Sequence, residues 1–166
     1  MSDPAVRSVT VGPRPGKAEV DVLLPVPRLI VHGDDADLAA VLLRLLRRDA
    51  LATEVAYLPV SRRSRAAANW GLPTRFDDAV ALARSGTARE MPLVRDDNGG
   101  VLAGRGEIPD LYGEAYCDAT RVLHGRVKLL VVDAGPEGVH VRAGRGVTGT
   151  TGRAIQIGTT GATPVR

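Results

Sequence analysis

Leu29-Ile-Val-His-Gly-Asp-Asp-Ala36 opens four consecutive stretches, continued by Asp37–Asp49, Thr53–Pro59 and Val60–Pro73. They read as a strand with its turn, a helix, a second strand and a basic loop. Leu29–Val31 is a short apolar run of the kind that forms a strand buried on both faces. Gly33 permits a sharp exit from it. Asp34, Asp35 and Asp37 stand where the helix begins, and each is able to cap its unpaired amides. Leu38, Val41, Leu42, Leu45 and Leu46 share one helical face; Ala40, Arg44, Arg47 and Arg48 share the other. Glu54–Leu58 is an apolar-rich strand ended by Pro59. These lengths predict a right-handed parallel βαβ unit.

From Val101 the pattern changes. Short apolar runs (Val101–Leu102, Ala115–Cys117, Val127–Val132, Val139–Arg142, Arg153–Ile157) alternate with Gly and Pro turns, which predicts an antiparallel β layer. The fold class expected is therefore α/β, with a parallel βαβ-based N-terminal part followed by an antiparallel β-rich part. The expected divisions are 1–28 as N-terminal strands and extension, 29–97 as the α/β part, and 98–166 as the β-rich part with a flexible or truncated tail. In the first division, Val9–Val11 and Ala18–Leu24 read as strands around the turn Gly12-Pro13-Arg14-Pro15-Gly16. Thr74-Arg75-Phe76-Asp77 reads as a capping box for a helix with Phe76, Val80 and Ala83 inward and Gly86 as its stop. Met91–Val94 reads as a strand. Asp96-Asp97-Asn98-Gly99-Gly100 reads as a hairpin turn, with carboxylates that could instead hold Mg²⁺.

Several motifs recur in a known order. His32-Gly33-Asp34-Asp35-Ala36 follows a strand where a Gly-Gly-Asp-Gly-Thr turn would stand. Pro59-Val60-Ser61-Arg62-Arg63-Ser64 stands for Pro-Leu-Gly-Thr-x-Asn, and Trp70-Gly71-Leu72-Pro73 closes that stretch without a gap. Asp78–Gly86 and Arg89–Leu93 then continue as a helix and a strand. In this order and spacing His32–Asp97 resembles the diacylglycerol kinase catalytic family, whose fold is shared with the NAD kinases.

The resemblance implies a phosphate-handling site at the ends of the two strands, with ATP and Mg²⁺ as its cofactors. It assigns Asp34 a catalytic place, and Asp118, in Tyr116-Cys117-Asp118-Ala119-Thr120, the place of a late catalytic acid. It assigns nucleotide contact to Gly33, Asp35, Ser61, Arg62, Arg63, Ser64 and Arg65. Yet the motifs are eroded. The family's second turn glycine is Asp35, which sets a carboxylate where a phosphate would approach. Like charges in such a site repel by about 4 kcal/mol at an effective dielectric of ~20. The turn threonine is Ala36, and the family's Gly-Thr-x-Asn is Ser61, Arg62, Arg63, Ser64. Residues 1–28 are also too few and too proline-rich for the family's opening βαβ unit.

Composition narrows the classes further. The chain has 166 residues, 44% hydrophobic, 25% charged and only 3% aromatic, which suits a core of Val, Leu and Ala. Net charge is +3, with Lys17 and Lys128 the only lysines. An Arg-, Ala-, Gly- and Val-rich usage fits a GC-rich bacterial genome, of the actinobacterial kind, and weakens a nucleic-acid reading, which also lacks interleaved aromatics. Cys117 is the sole cysteine, so no intrachain disulfide forms. The start has no apolar signal region and no run approaches a bilayer span, so a cytoplasmic protein is expected. His32, His124 and His140 lack metal-ligand spacing.

The function expected is that of a non-catalytic lipid-kinase-like protein. Its partner would be a nucleotide, a phosphorylated metabolite or another protein, with self-association through exposed sheet edges. The alternative is an active ATP-dependent phosphotransferase acting on a lipid or NAD, with rebuilt ATP contacts.

Overall fold

The computed structural model describes residues 6–96, 98–144 and 150–159. A short helix α1 (Lys17–Val20) and a 3-10 turn (Asp21–Leu23) precede β1 (Arg28–Gly33), α2 (Asp35–Arg47) and β2 (Glu54–Pro59). β1 and β2 pair in parallel, with Arg28 opposite Glu54 and Gly33 opposite Pro59, as the strand–helix–strand reading requires. Their faces explain their unbroken apolar character. Val31 and Tyr57 pack on Leu38, Val41, Leu42 and Leu45 of α2. Ile30, Ala56 and Leu58 pack on Ala79, Val80 and Ala83 of a later helix.

α3 (Arg65–Trp70) and α4 (Phe76–Ser85) follow β2. Gly71 closes α3 in the left-handed region at φ 66°. The α4 C-terminus is held by Arg28, whose guanidinium donates to Ala83 O at 3.0 Å and Gly86 O at 2.8 Å. The same guanidinium reaches Glu54 at 2.7 Å.

A two-residue hairpin, β3 (Val94–Arg95) with β4 (Val101–Leu102), leads into the β part. Leu93 and Val101 pack on the α/β core, while Val94 and Leu102 pack on the second core. This hairpin therefore joins the two. Long strands β5 (Arg105–Cys117) and β6 (Thr120–Gly135) form an antiparallel ribbon. β7 (Gly138–Ala143), β8 (Thr150–Gly152) and β9 (Ile155–Thr159) complete a sheet of order β8-β7-β6-β5-β9. The sheet curls. The Cys117 thiol at the end of β5 lies 4.0 Å from Val139 O and 3.8 Å from Thr150 O. Inside the curl lie Leu111, Ala115, Leu123, Leu130, Val132, Val139 and Val141.

Four expectations are corrected. The N-terminal residues are not strands: Val9–Val11 is outside any strand, and residues 17–23 are helical. Here the Glu19 carboxylate accepts from Gly16 N–H at 2.9 Å, and Val20 and Leu24, one helical turn apart, reach the α2 core. Arg65–Ala68 belongs to α3 rather than to a loop, because the Ser64 hydroxyl accepts from Ala67 N–H at 2.9 Å and caps a helix there. α4 begins at Phe76 with no side-chain cap, and Arg75 pairs instead with Asp78 at 3.6 Å. Phe76 is consequently 61% exposed, its ring centroid 5.8 Å from that of His32 in a T-shaped pair, while the small Ala79 and Ala83 let the helix lie close to Leu58. Finally, the strand read at Met91–Val94 is Val94–Arg95. Residues 160–166, in the expected tail, and Asp97 lie outside the described residues.

Candidate functional site

The site forms where both parallel strands end, the place at which open α/β folds hold ligands. A cleft of about 280 Å³ opens there, lined by Asp34, Asp35, Ala36, Tyr57, Ser61, Arg63 and Ser64. Five of the nine residues expected at the site, Asp34, Asp35, Ser61, Arg63 and Ser64, are thus brought to one opening.

Asp34 is the N-cap of α2. Its carboxylate accepts from Ala36 N–H at 2.8 Å and Asp37 N–H at 2.9 Å. Asp37 returns the contact, accepting from Asp34 N–H at 3.0 Å, and also accepts from Arg14 N–H at 2.7 Å. Those amides, Arg14 first, hold the Asp37 carboxyl below the usual carboxylate range. Gly33 is required by packing: a Cβ there would lie 2.6 Å from Asp37 Oδ2.

Asp35 faces the other way, into the protein. Its Oδ1 accepts from Tyr57 Oη–H at 2.9 Å and from Ser64 Oγ–H at 2.5 Å. Its Oδ2 accepts from Arg65 N–H at 2.8 Å and Ala66 N–H at 3.1 Å. Two hydroxyls and the first two amides of α3 therefore converge on one carboxylate. Burial first, and then the neighbouring Asp35, push the Tyr57 hydroxyl well above its ordinary pKa. That hydroxyl also reaches Gly33 O at 3.1 Å, tying the turn to β2.

This arrangement decides what the groups can do. Asp35 has four donors on two oxygens and no spare lone pair suited to proton abstraction. Ser64 is both donor to Asp35 and cap of α3, so its hydroxyl is not a free nucleophile. The donors that would face a nucleotide phosphate are already engaged by a side chain of the same charge. The residues present do not fit ATP phosphates as the glycine turn of the kinases would. By contrast, the guanidiniums of Arg62, Arg63 and Arg65 are exposed and make no ion pair or hydrogen bond among the described residues. Among those residues no group of three or more His, Cys, Asp or Glu is placed to hold a metal ion.

Asp118 is not among the cleft residues. It occupies the β5–β6 turn at φ 50°, where its carboxylate accepts from Arg153 N–H at 3.0 Å and Ala154 N–H at 2.9 Å. These amides hold its pKa below the usual range. Asp96 likewise serves its own turn, accepting from Gly100 N–H at 2.6 Å.

Two residues of the site escaped sequence reasoning. Tyr57 looked like one more strand residue, although a phenol in an apolar strand needs a buried partner for its hydroxyl. Asn69 sits on α3 and donates its amide to Gly104 O at 3.1 Å and Ala134 O at 2.9 Å, docking the helix on the end of the β5–β6 ribbon. Nothing in its local sequence announces that span of 65 residues.

No protein-family model matches the chain, and no curated protein matches it.

Proposed function

We propose that this chain is a non-catalytic relative of the diacylglycerol kinases that holds a small phosphorylated anion at the arginine-bearing mouth of the cleft. One observation carries the reading. The Asp35 carboxylate fills the cradle of Tyr57, Ser64, Arg65 and Ala66. A phosphate entering that cradle would have to displace a bound anion and meet its charge. Of the exposed cations Arg63 lines the cleft, with Arg62 and Arg65 close to it in the chain, and guanidinium forks suit phosphate oxygens.

The reading makes two demands. Incubation with labelled ATP, Mg²⁺ and either diacylglycerol or NAD gives no transfer; transfer that Asp34→Ala abolishes would instead favour the active phosphotransferase. Calorimetric titration with inorganic pyrophosphate gives binding that the triple change of Arg62, Arg63 and Arg65 to Ala removes, with the unfolding midpoint unchanged. No pyrophosphate binding by the native chain would end the proposal.

A further inference from the structure

Among the described residues two features of the fold lack backbone partners, and each has what the other needs. The first is the outer edge of β1. Glu54 N–H donates to Pro27 O and Val60 N–H to Gly33 O, so the odd-numbered residues of β1 turn their backbone groups toward β2. Arg28, Ile30 and His32 therefore turn theirs away. β1 has β2 as its single neighbour, and no described residue bonds the backbone of Ile30 or His32. Both faces of this two-stranded sheet are covered by helices, yet this edge offers free donors and acceptors. The other edge, on β2, is blunted by Pro59, which has no N–H.

The second feature is Val6-Arg7-Ser8-Val9-Thr10-Val11. These residues lie in no helix or strand and make no backbone hydrogen bond among the described residues, and Val6, Val9 and Val11 are 58%, 47% and 39% exposed. The β-branched Val9-Thr10-Val11 has the composition of a strand. The segment joins the fold through Gly12-Pro13 at Arg14, whose N–H donates to Asp37 in the first turn of α2, the helix that follows β1. In its own chain this strand-forming segment leaves the β1 edge unpaired, so both remain available to a second copy.

We propose that residues 6–11 of one copy add as a third strand to the β1 edge of a second copy, forming a reciprocal strand-exchanged dimer. Backbone bonds to Ile30 and His32 give the affinity. The valines, exposed in the isolated chain, become covered. The proposal is independent of the cleft and of any anion held there.

The test is sedimentation of the full chain over a ~100-fold concentration range, with hydrogen exchange of the Ile30 and His32 amides at both extremes. A monomer–dimer equilibrium is expected, with both amides protected only at high concentration. Val9→Asp with Val11→Asp, and separately Thr10→Pro, should weaken dimerisation by about tenfold or more. Val9 and Val11 belong to none of the monomer's hydrophobic clusters, and Thr10 has no backbone hydrogen bond among the described residues, so circular dichroism should not change. A chain monomeric throughout, a dimer indifferent to all three substitutions, or amides protected equally at every concentration would each overturn the proposal. The last result would mean that the segment pairs within its own chain.

Discussion

The Ser64 hydroxyl donates to the carboxylate of Asp35, 29 residues earlier, across 2.5 Å. That bond joins the start of α2 to the start of α3 and places a resident negative charge between them. The first prediction concerns its removal. Asp35→Ala leaves two amides and two hydroxyls facing inward without their acceptor. Stability should fall by about 2–4 kcal/mol, as read by urea unfolding. A loss within error of zero would mean that the cradle does not depend on its internal anion.

Tyr57→Phe should remove a pH dependence as well as a hydrogen bond. The folded-state pKa of Tyr57 is raised, so the folded chain keeps its proton where the unfolded chain releases it. Stability is full below the ordinary value of 10.0 and declines as pH rises above it. The substitution should cost about 1 kcal/mol at neutral pH and flatten this alkaline decline. Unfolding curves on both sides of that value provide the check.

Asp37 predicts the opposite sign. Its folded-state pKa is lowered, so the stability it lends is complete above the ordinary value of 3.8 and drains away as pH falls below it. Asp37→Asn should lessen the acid sensitivity of the fold while weakening the Arg14 tether. Thermal melts between about pH 2 and 5 measure both.

Gly104→Ala should be among the most damaging small substitutions. Gly104 has φ +84°, and a Cβ there would lie 2.5 Å from Ala66 N. The change adds backbone strain of order 1–3 kcal/mol and pushes α3 off the β5–β6 ribbon. Exposure of Trp70, the sole tryptophan, should register in its fluorescence.

Arg28→Met keeps the aliphatic stem but removes the donors at Ala83 O and Gly86 O. A loss of about 1–3 kcal/mol is expected, with faster hydrogen exchange confined to the last turn of α4. Uniformly faster exchange would indicate that Arg28 supports the whole α/β core instead.

The parallel pairing of Leu29–Val31 with Val55–Tyr57 and the α2 stripe were legible because both depend on local periodicity. The antiparallel character of the part after Val101 was legible too, although the short runs at Ala115–Cys117 and Val127–Val132 are only pieces of the long strands Arg105–Cys117 and Thr120–Gly135. The capping role of Asp34 was equally local: a carboxylate before a helix has amides within reach.

Asp35 shows where such reading stops. The chain shows a carboxylate in place of a turn glycine, and charge repulsion follows from that alone. That this carboxylate turns inward to meet Tyr57, Ser64, Arg65 and Ala66 depends on how α3 docks behind β2. The docking rests in turn on Asn69 reaching Gly104 and Ala134, far along the chain. The helical state of residues 17–23 and the outward turn of Phe76 were hidden for the same reason. Short segments take the conformation that their neighbours allow, and those neighbours are assembled only in three dimensions. Sequence by itself determined the strand–helix–strand frame and the residues at its mouth; tertiary packing decided which of them are consumed in holding that frame and which remain free to meet another molecule.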